Sequence, residues 1–156
     1  MGHESNLSRP GIWSAAAGTL FGIILAVALA AGYHASGNPA FCISCHSMKD
    51  IGSHWQQSQH KQFACIECHL PDSTLIPQVT YKTKAGLNDL YHETLRSYPS
   101  RIRLSEEARD IAEGNCLRCH FSTVQNTFMA AGGECLKCHQ GLVHGSGQET
   151  GGIKVE

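Results

Sequence analysis

The chain has 156 residues, of which 42% are hydrophobic and only 16% charged, and 12 basic against 13 acidic side chains leave a net charge of −1. That length accommodates one domain plus a membrane anchor, and the balanced charge excludes the basic surface that nucleic-acid binding requires, so no nucleic acid is expected as a partner. What stands out is the supply of soft and imidazole ligands: 8 cysteines and 10 histidines.

Residues 1–11 form a short N-terminal segment with Arg9 as the cation preceding an apolar run. From Ile12 to Tyr33 there are 22 residues without a charge. A helix of that length spans roughly 33 Å, about one hydrocarbon core, and predicts a single transmembrane helix over 12–33. The alternative is a cleaved signal peptide ending at Ala28-Leu29-Ala30, but the apolar run continues past that site to Gly32 and Tyr33, which favours an uncleaved anchor. Within it, Gly18-Thr19-Leu20-Phe21-Gly22 is a Gly-x-x-x-Gly match for close packing of a partner helix, a weak signal by itself.

Residues 34–144 hold the chemistry. All eight cysteines fall in one repeated pattern, Cys-x-x-Cys-His: Cys42/Cys45/His46, Cys65/Cys68/His69, Cys116/Cys119/His120 and Cys135/Cys138/His139. Two thiols three residues apart can add to the two vinyl groups along a haem edge, and the next residue then lies under the iron as an imidazole ligand. Zinc ribbons need no histidine after every second cysteine, and thioredoxin-like pairs do not come in fours. Four covalent c-type haems are the expectation, and no cysteine is left for a disulfide.

The first two motifs are 18 residues apart and the last two 14, with 46 residues from Leu70 to Asn115 between the pairs. The chain therefore reads as two di-haem modules, 42–69 and 116–139, with an insert over 70–115. The insert predicts two helices, one from about Pro77 to Tyr98 stopped by Pro99, and one from Ser105 to Gly114 with Ser105 as cap and Glu106 and Glu107 in the first turn. Strand signals are absent. The fold class is thus a multihaem cytochrome c: a single N-terminal transmembrane helix and a small, mostly helical and irregular domain wrapped around four c-haems that serve as its core. The tail, 145–156, is Gly-rich and polar and reads as flexible or as a docking strap.

Haem attachment requires exported thiols, which puts the domain on the periplasmic side of the cytoplasmic membrane and the N-terminus, with His3, in the cytoplasm. Ligands for the second face of each iron are sought among His34, His54, His60, His92, His144, Met48 and Met129. His60 lies five residues before Cys65 and His144 five after His139, too close to cross over their own haems, so both are expected to ligate haems of other modules. Met48, two residues beyond His46, lies on the same side of the first haem; it either replaces His46 or packs, and spacing alone favours packing. Lys82 and Asp89 are seven residues apart, about two helical turns and one face, with Gly86 between them. Taken alone, such a pair is more often a solvated surface.

These features together, Cys42-x-x-Cys45-His46-x-Met48, Ser58-x-His60, Lys82, Asp89 and His144 behind one N-terminal helix, resemble the NapC/NrfH family of membrane-anchored quinol dehydrogenases, and the length resembles its short, four-haem branch. The resemblance implies that Met48 is the ligand of haem 1, that His60 ligates haem 3 and His144 haem 2, and that Asp89 accepts protons while Lys82 holds a quinol oxygen. Glu93 and His92 are placed to pass protons outward. Haem 4 is left to His92, water or a docked partner. The activity so implied is oxidation of menaquinol and delivery of electrons to a periplasmic multihaem nitrite reductase, an arrangement that admits homo-oligomers within the complex. A general donor to other reductases, a small-oxidant reductase in its own right, and a passive electron store are the alternatives. Intact-mass analysis of native protein should show four tetrapyrroles added to the polypeptide; zinc in their place would contradict the motif reading.

Overall fold

The computed structural model of the chain describes residues 9–99, 101–132 and 134–145, so His3 and the expected tail beyond Gly145 lie outside the described residues. Two compact units divide at Ser36 and Gly37. The first holds α1 (Arg9–Ala35), with Pro10 in its first turn, where a missing amide costs nothing. It extends the expected span by three residues at the start and two at the end. It is apolar all the way round and exposed along its length, which in water would be ruinous and in a bilayer is what a spanning helix needs. Among the described residues, Gly11–Ala35 is the one span long and apolar enough to cross a membrane.

The second unit is built of short helices that carry motifs and two longer ones that organise them. Asn38 caps α2 (Pro39–Cys42), its side-chain oxygen accepting from the Ala40 amide at 2.9 Å, so the first motif begins at a helix end. A 3-10 turn, His46–Met48, leads into α3 (Lys49–Gln57). Gly52 of α3 is buried directly against the Ile43 side chain, inside the first motif; a methyl group added there would collide with it. The second motif forms α4 (Ile66–His69) and the fourth forms α7 (Cys135–Cys138).

In the insert, α5 runs over Leu75–Leu95, starting two residues before the expected Pro77, because proline is tolerated in a first turn. It stops three residues short of the expected Tyr98. Arg96 adopts the left-handed conformation at φ 51°, and the Arg96 and Ser97 amides turn back to the Glu93 and His92 carbonyls, closing the helix before Pro99 can. α6 (Glu106–Val124) begins as expected at Ser105, whose hydroxyl accepts from the Ala108 amide at 3.2 Å. It does not end at Gly114, however: it carries the whole third motif and continues to Val124. No left-handed residue interrupts it at 114–115, and Cys-Leu-Arg-Cys-His keeps helical backbone.

The described residues form no strand. Ala112 is the one buried apolar side chain among them, and no large side chain is fully buried, so little apolar surface is packed between protein groups. Gly52→Ala should overpack the contact of α3 with the first motif and destabilise the domain by about 1–3 kcal/mol, read as a lowered melting temperature of the haem-loaded protein.

Candidate haem-binding and electron-transfer site

The fold brings the four motifs together in chain order. The Cys42 thiol is lowered from its ordinary range first by a hydrogen bond with Cys65, and Cys65 is raised by the same bond, which joins motif one to motif two. Burial raises Cys68, and the charge of Cys119 raises it further; Cys116, pushed up to about 11 by burial, also feels Cys135 and Cys68. Each motif thus has thiols within electrostatic reach of the next. Among the described residues no three His, Cys, Asp or Glu side chains converge as a metal cage.

Two pairs of imidazoles face each other across the domain. His60 and His120 have ring centres 6.2 Å apart, and His69 and His144 6.0 Å. An imidazole on each side of a metal, with bonds of about 2.0 Å to nitrogen, places ring centres roughly 6 Å apart. The Nδ1 atoms of His60 and His144 are buried without a hydrogen-bond partner. Burial pushes the pKa of both His69 and His144 down, which favours the neutral imidazole that ligates metals.

Local structure aims these rings. The Ser58 hydroxyl accepts from the His60 amide at 3.1 Å and donates to the Trp55 carbonyl at 2.8 Å, while the Trp55 indole donates to the His60 carbonyl at 3.2 Å. Serine two places before His60 is therefore a turn device. His144 is followed by Gly145 at φ 73°, where a β-carbon would stand 3.1 Å from the His54 ring.

Polar clasps hold the motifs in place. Asn115, buried in α6, donates to the carbonyls of Cys68 and Leu70 at 2.9 and 2.7 Å. Arg118, between the third pair of cysteines, donates to the Glu67 carbonyl and carboxylate at 2.8 and 3.1 Å; Glu67 lies between the second pair. The Glu113 carboxylate accepts from the Cys135 and Leu136 amides at 3.0 and 3.2 Å and so caps the fourth motif's helix.

On α5, Lys82 and Asp89 lie beside the first motif: the Lys82 charge lowers the Cys42 thiol, and Asp89 raises both Cys42 and Cys45. Burial pushes the Asp89 carboxyl above the usual range and the Lys82 ammonium below its own. A β-carbon at Gly86 between them would meet no protein atom. Glu93, expected as a proton relay, is instead engaged with the first motif. It accepts from the His46 amide at 2.7 Å and the Ser47 hydroxyl at 2.6 Å, and the Ser47 bond foremost holds its carboxyl below the usual range. His92 is tied through Nδ1 to the Ser97 carbonyl at 2.6 Å.

Met48 is half-buried at the junction of the 3-10 turn and α3. Among the described residues no ring faces His46 or His139, and His34 remains in the last turn of α1 against Tyr33. The clasps by Glu93, Glu113, Asn115 and Arg118 were not foreseen. One signal was available: Glu67 and Arg118 are opposite charges at the same interior position of two Cys-x-x-Cys motifs.

Thiol pairs with an adjacent imidazole, and a second imidazole at the right separation with a buried unpartnered nitrogen, fit c-type haem: the site is that of a cytochrome c. The model of the NapC/NirT cytochrome c family, N-terminal region, matches residues 8–149, and the chain belongs to that family. It is similar to the cytochrome c-type protein NrfH of Wolinella succinogenes, 35% identical over 88 residues, covering 56% of this chain and 50% of that one. To the cytochrome c nitrite reductase subunit NrfH of Nitratidesulfovibrio vulgaris it is 30% identical over 106 residues, 68% of this chain and 66% of that one. The matches thus span half to about two-thirds of these relatives' own length. A crystal structure of the cytochrome c nitrite reductase NrfHA complex bound to the HQNO inhibitor has a chain of the same fold, with a TM-score of 0.72 at 27% identity over 87% of this chain and 97% of that one. With its one apolar N-terminal helix, this chain is a single-pass membrane protein of the family.

Gly145→Ala should force a left-handed residue at a cost of about 1–2 kcal/mol and press on His54, moving His144 away from His69. Electron paramagnetic resonance of the loaded protein should show one low-spin haem signal altered, and a wild-type spectrum would contradict the expectation.

Proposed function

We propose that the chain is the quinol dehydrogenase subunit of a membrane nitrite reductase complex, oxidising menaquinol and supplying a periplasmic multihaem nitrite reductase. The observation that carries the reading is the placing of Lys82 and Asp89 beside the Cys42–Cys45 motif on one helix, in a chain whose relatives bear nitrite reductase subunit names. Four c-type haems, attached at the four Cys-x-x-Cys-His motifs, supply one-electron carriers linking a two-electron donor to a distant acceptor. By the family resemblance, His69 with His144 would hold haem 2, His120 with His60 haem 3, Met48 haem 1 and His139 haem 4, the last completed by His92, water or a docked partner. The 6.0 and 6.2 Å ring separations support the two bis-histidine assignments.

Quinol oxidation releases two protons, and the side chains here suit their removal. Burial brings Asp89 and Lys82 each toward its neutral form, so Asp89 accepts a proton at a pH above the ordinary carboxylate range and Lys82 donates a hydrogen bond to the quinol oxygen. The same helix offers an uncharged, exposed face of Ile76, Val79, Leu87, Leu90 and Tyr91, which suits a ligand with a long apolar tail. The haem-bearing unit lies in the periplasm, and copies of the chain associate within the complex.

Asp89→Asn should lower menaquinol-driven haem reduction by about a hundredfold or more with haem content unchanged. In wild-type protein the rate should climb with pH as the Asp89 carboxyl deprotonates, and that limb should vanish in the variant. A wild-type rate and pH profile for Asp89→Asn, measured as the haem α-band under menaquinol, would sink this reading.

A further inference from the structure

The turn that presents His46 and Met48 has no side-chain cap at its start. Cys45, which begins it, makes no side-chain capping bond, nor does Met48 at the start of α3. With three residues per turn, His46 and Met48 project about 120° apart, so a rotation of this turn by about a third of a revolution exchanges which of them faces a given direction. The restraint comes from 46–47 residues further along: both oxygens of Glu93 are engaged, one by the His46 amide at 2.7 Å and one by the Ser47 hydroxyl at 2.6 Å. Bonds to an ionised carboxylate are the short, strong class, and two to adjacent residues fix orientation as well as position. Glu93 also lies one turn beyond Asp89 on the same face of α5, so the restraint ties the turn to the helix that carries Asp89 and Lys82.

We propose that Glu93 is a positioning residue: it locks the rotation of the His46–Met48 turn against α5, and so fixes which side chain of that turn is offered to the first haem and at what register to Asp89. The lock rests on the reading of α5 as the quinol helix for its effect on turnover, but not for its effect on the first haem itself.

The test uses full-length, detergent-purified holoprotein with Glu93→Ala, Glu93→Gln, Ser47→Ala and, as a control on the quinol site, Asp89→Asn. Haem per chain is measured by intact mass, ligation of the first haem by electron paramagnetic resonance and magnetic circular dichroism, and turnover by menaquinol-driven reduction against dithionite. Glu93→Ala should split the first haem's signal into more than one form and cut menaquinol-driven reduction at least tenfold while dithionite reduces every haem. Glu93→Gln, whose amide oxygen still accepts from His46, should restore a single form. A single wild-type signal and wild-type turnover in Glu93→Ala would overturn the lock. If Glu93→Ala does not load haem, Ser47→Ala decides: a split signal supports the lock and a wild-type one overturns it. Asp89→Asn separates the two ideas, since loss of turnover there with a silent Glu93→Ala removes the lock alone, and silence of both removes the quinol helix with it.

Discussion

Both side-chain hydrogens of Asn115 are spent on the backbone carbonyls of Cys68 and Leu70, and the amide is buried while doing so. This one contact joins the helix of the third motif to the second motif, and losing it would leave half-buried carbonyls short of a donor, at a cost of about 1 kcal/mol. Arg118 repeats the connection at the surface through Glu67. With α4 fixed on α6 in this way, His69 and His120 are set apart at a defined spacing, and the segments that carry His144 and His60 close over them.

Such polar bonds take the place that apolar packing holds in most domains. With Ala112 the one apolar side chain buried among the described residues, hydrophobic burial between protein groups cannot specify how the segments meet. Directional bonds do it instead: Glu93 on the first motif, Asn115 and Arg118 between the second and third, Glu113 on the fourth. All are supplied by, or anchored on, the two long helices. Exposed ion pairs such as Lys84 with Glu107 at 3.2 Å contribute little by comparison, because water screens them.

The helix α5 shows how one element serves several environments. Lys82, Asp89 and Glu93 share the face turned to the first motif, Lys84 points to α6, and a third, uncharged face is left exposed. Partial burial moves Asp89 and Lys82 in opposite directions from their ordinary values, the physical condition for a proton acceptor and a hydrogen-bond donor to work side by side on a weakly acidic ligand. Glu93, one turn further along the helix, accepts from the His46 amide and the Ser47 hydroxyl, and these bonds keep its carboxyl below the usual range.

Spacing along the chain was enough to read the anchor, the four Cys-x-x-Cys-His motifs, the Ser105 cap and the separation of His60 and His144 from the motifs next to them in sequence. Each of these is local: an unbroken apolar run, two thiols and an imidazole within five residues, a hydroxyl before a helix. Partnership was not local. That His60 meets His120 and His144 meets His69 was available only through family resemblance, because nothing in the order of residues measures a distance across the domain. The extent of α6 was misjudged because Gly114 is a stop signal only when it adopts a left-handed backbone, which here it does not. The contacts of Glu93 were invisible for the same reason of distance: 46 residues separate it from Ser47, and only the folding of α5 against the first motif brought its carboxylate onto the His46 amide and the Ser47 hydroxyl.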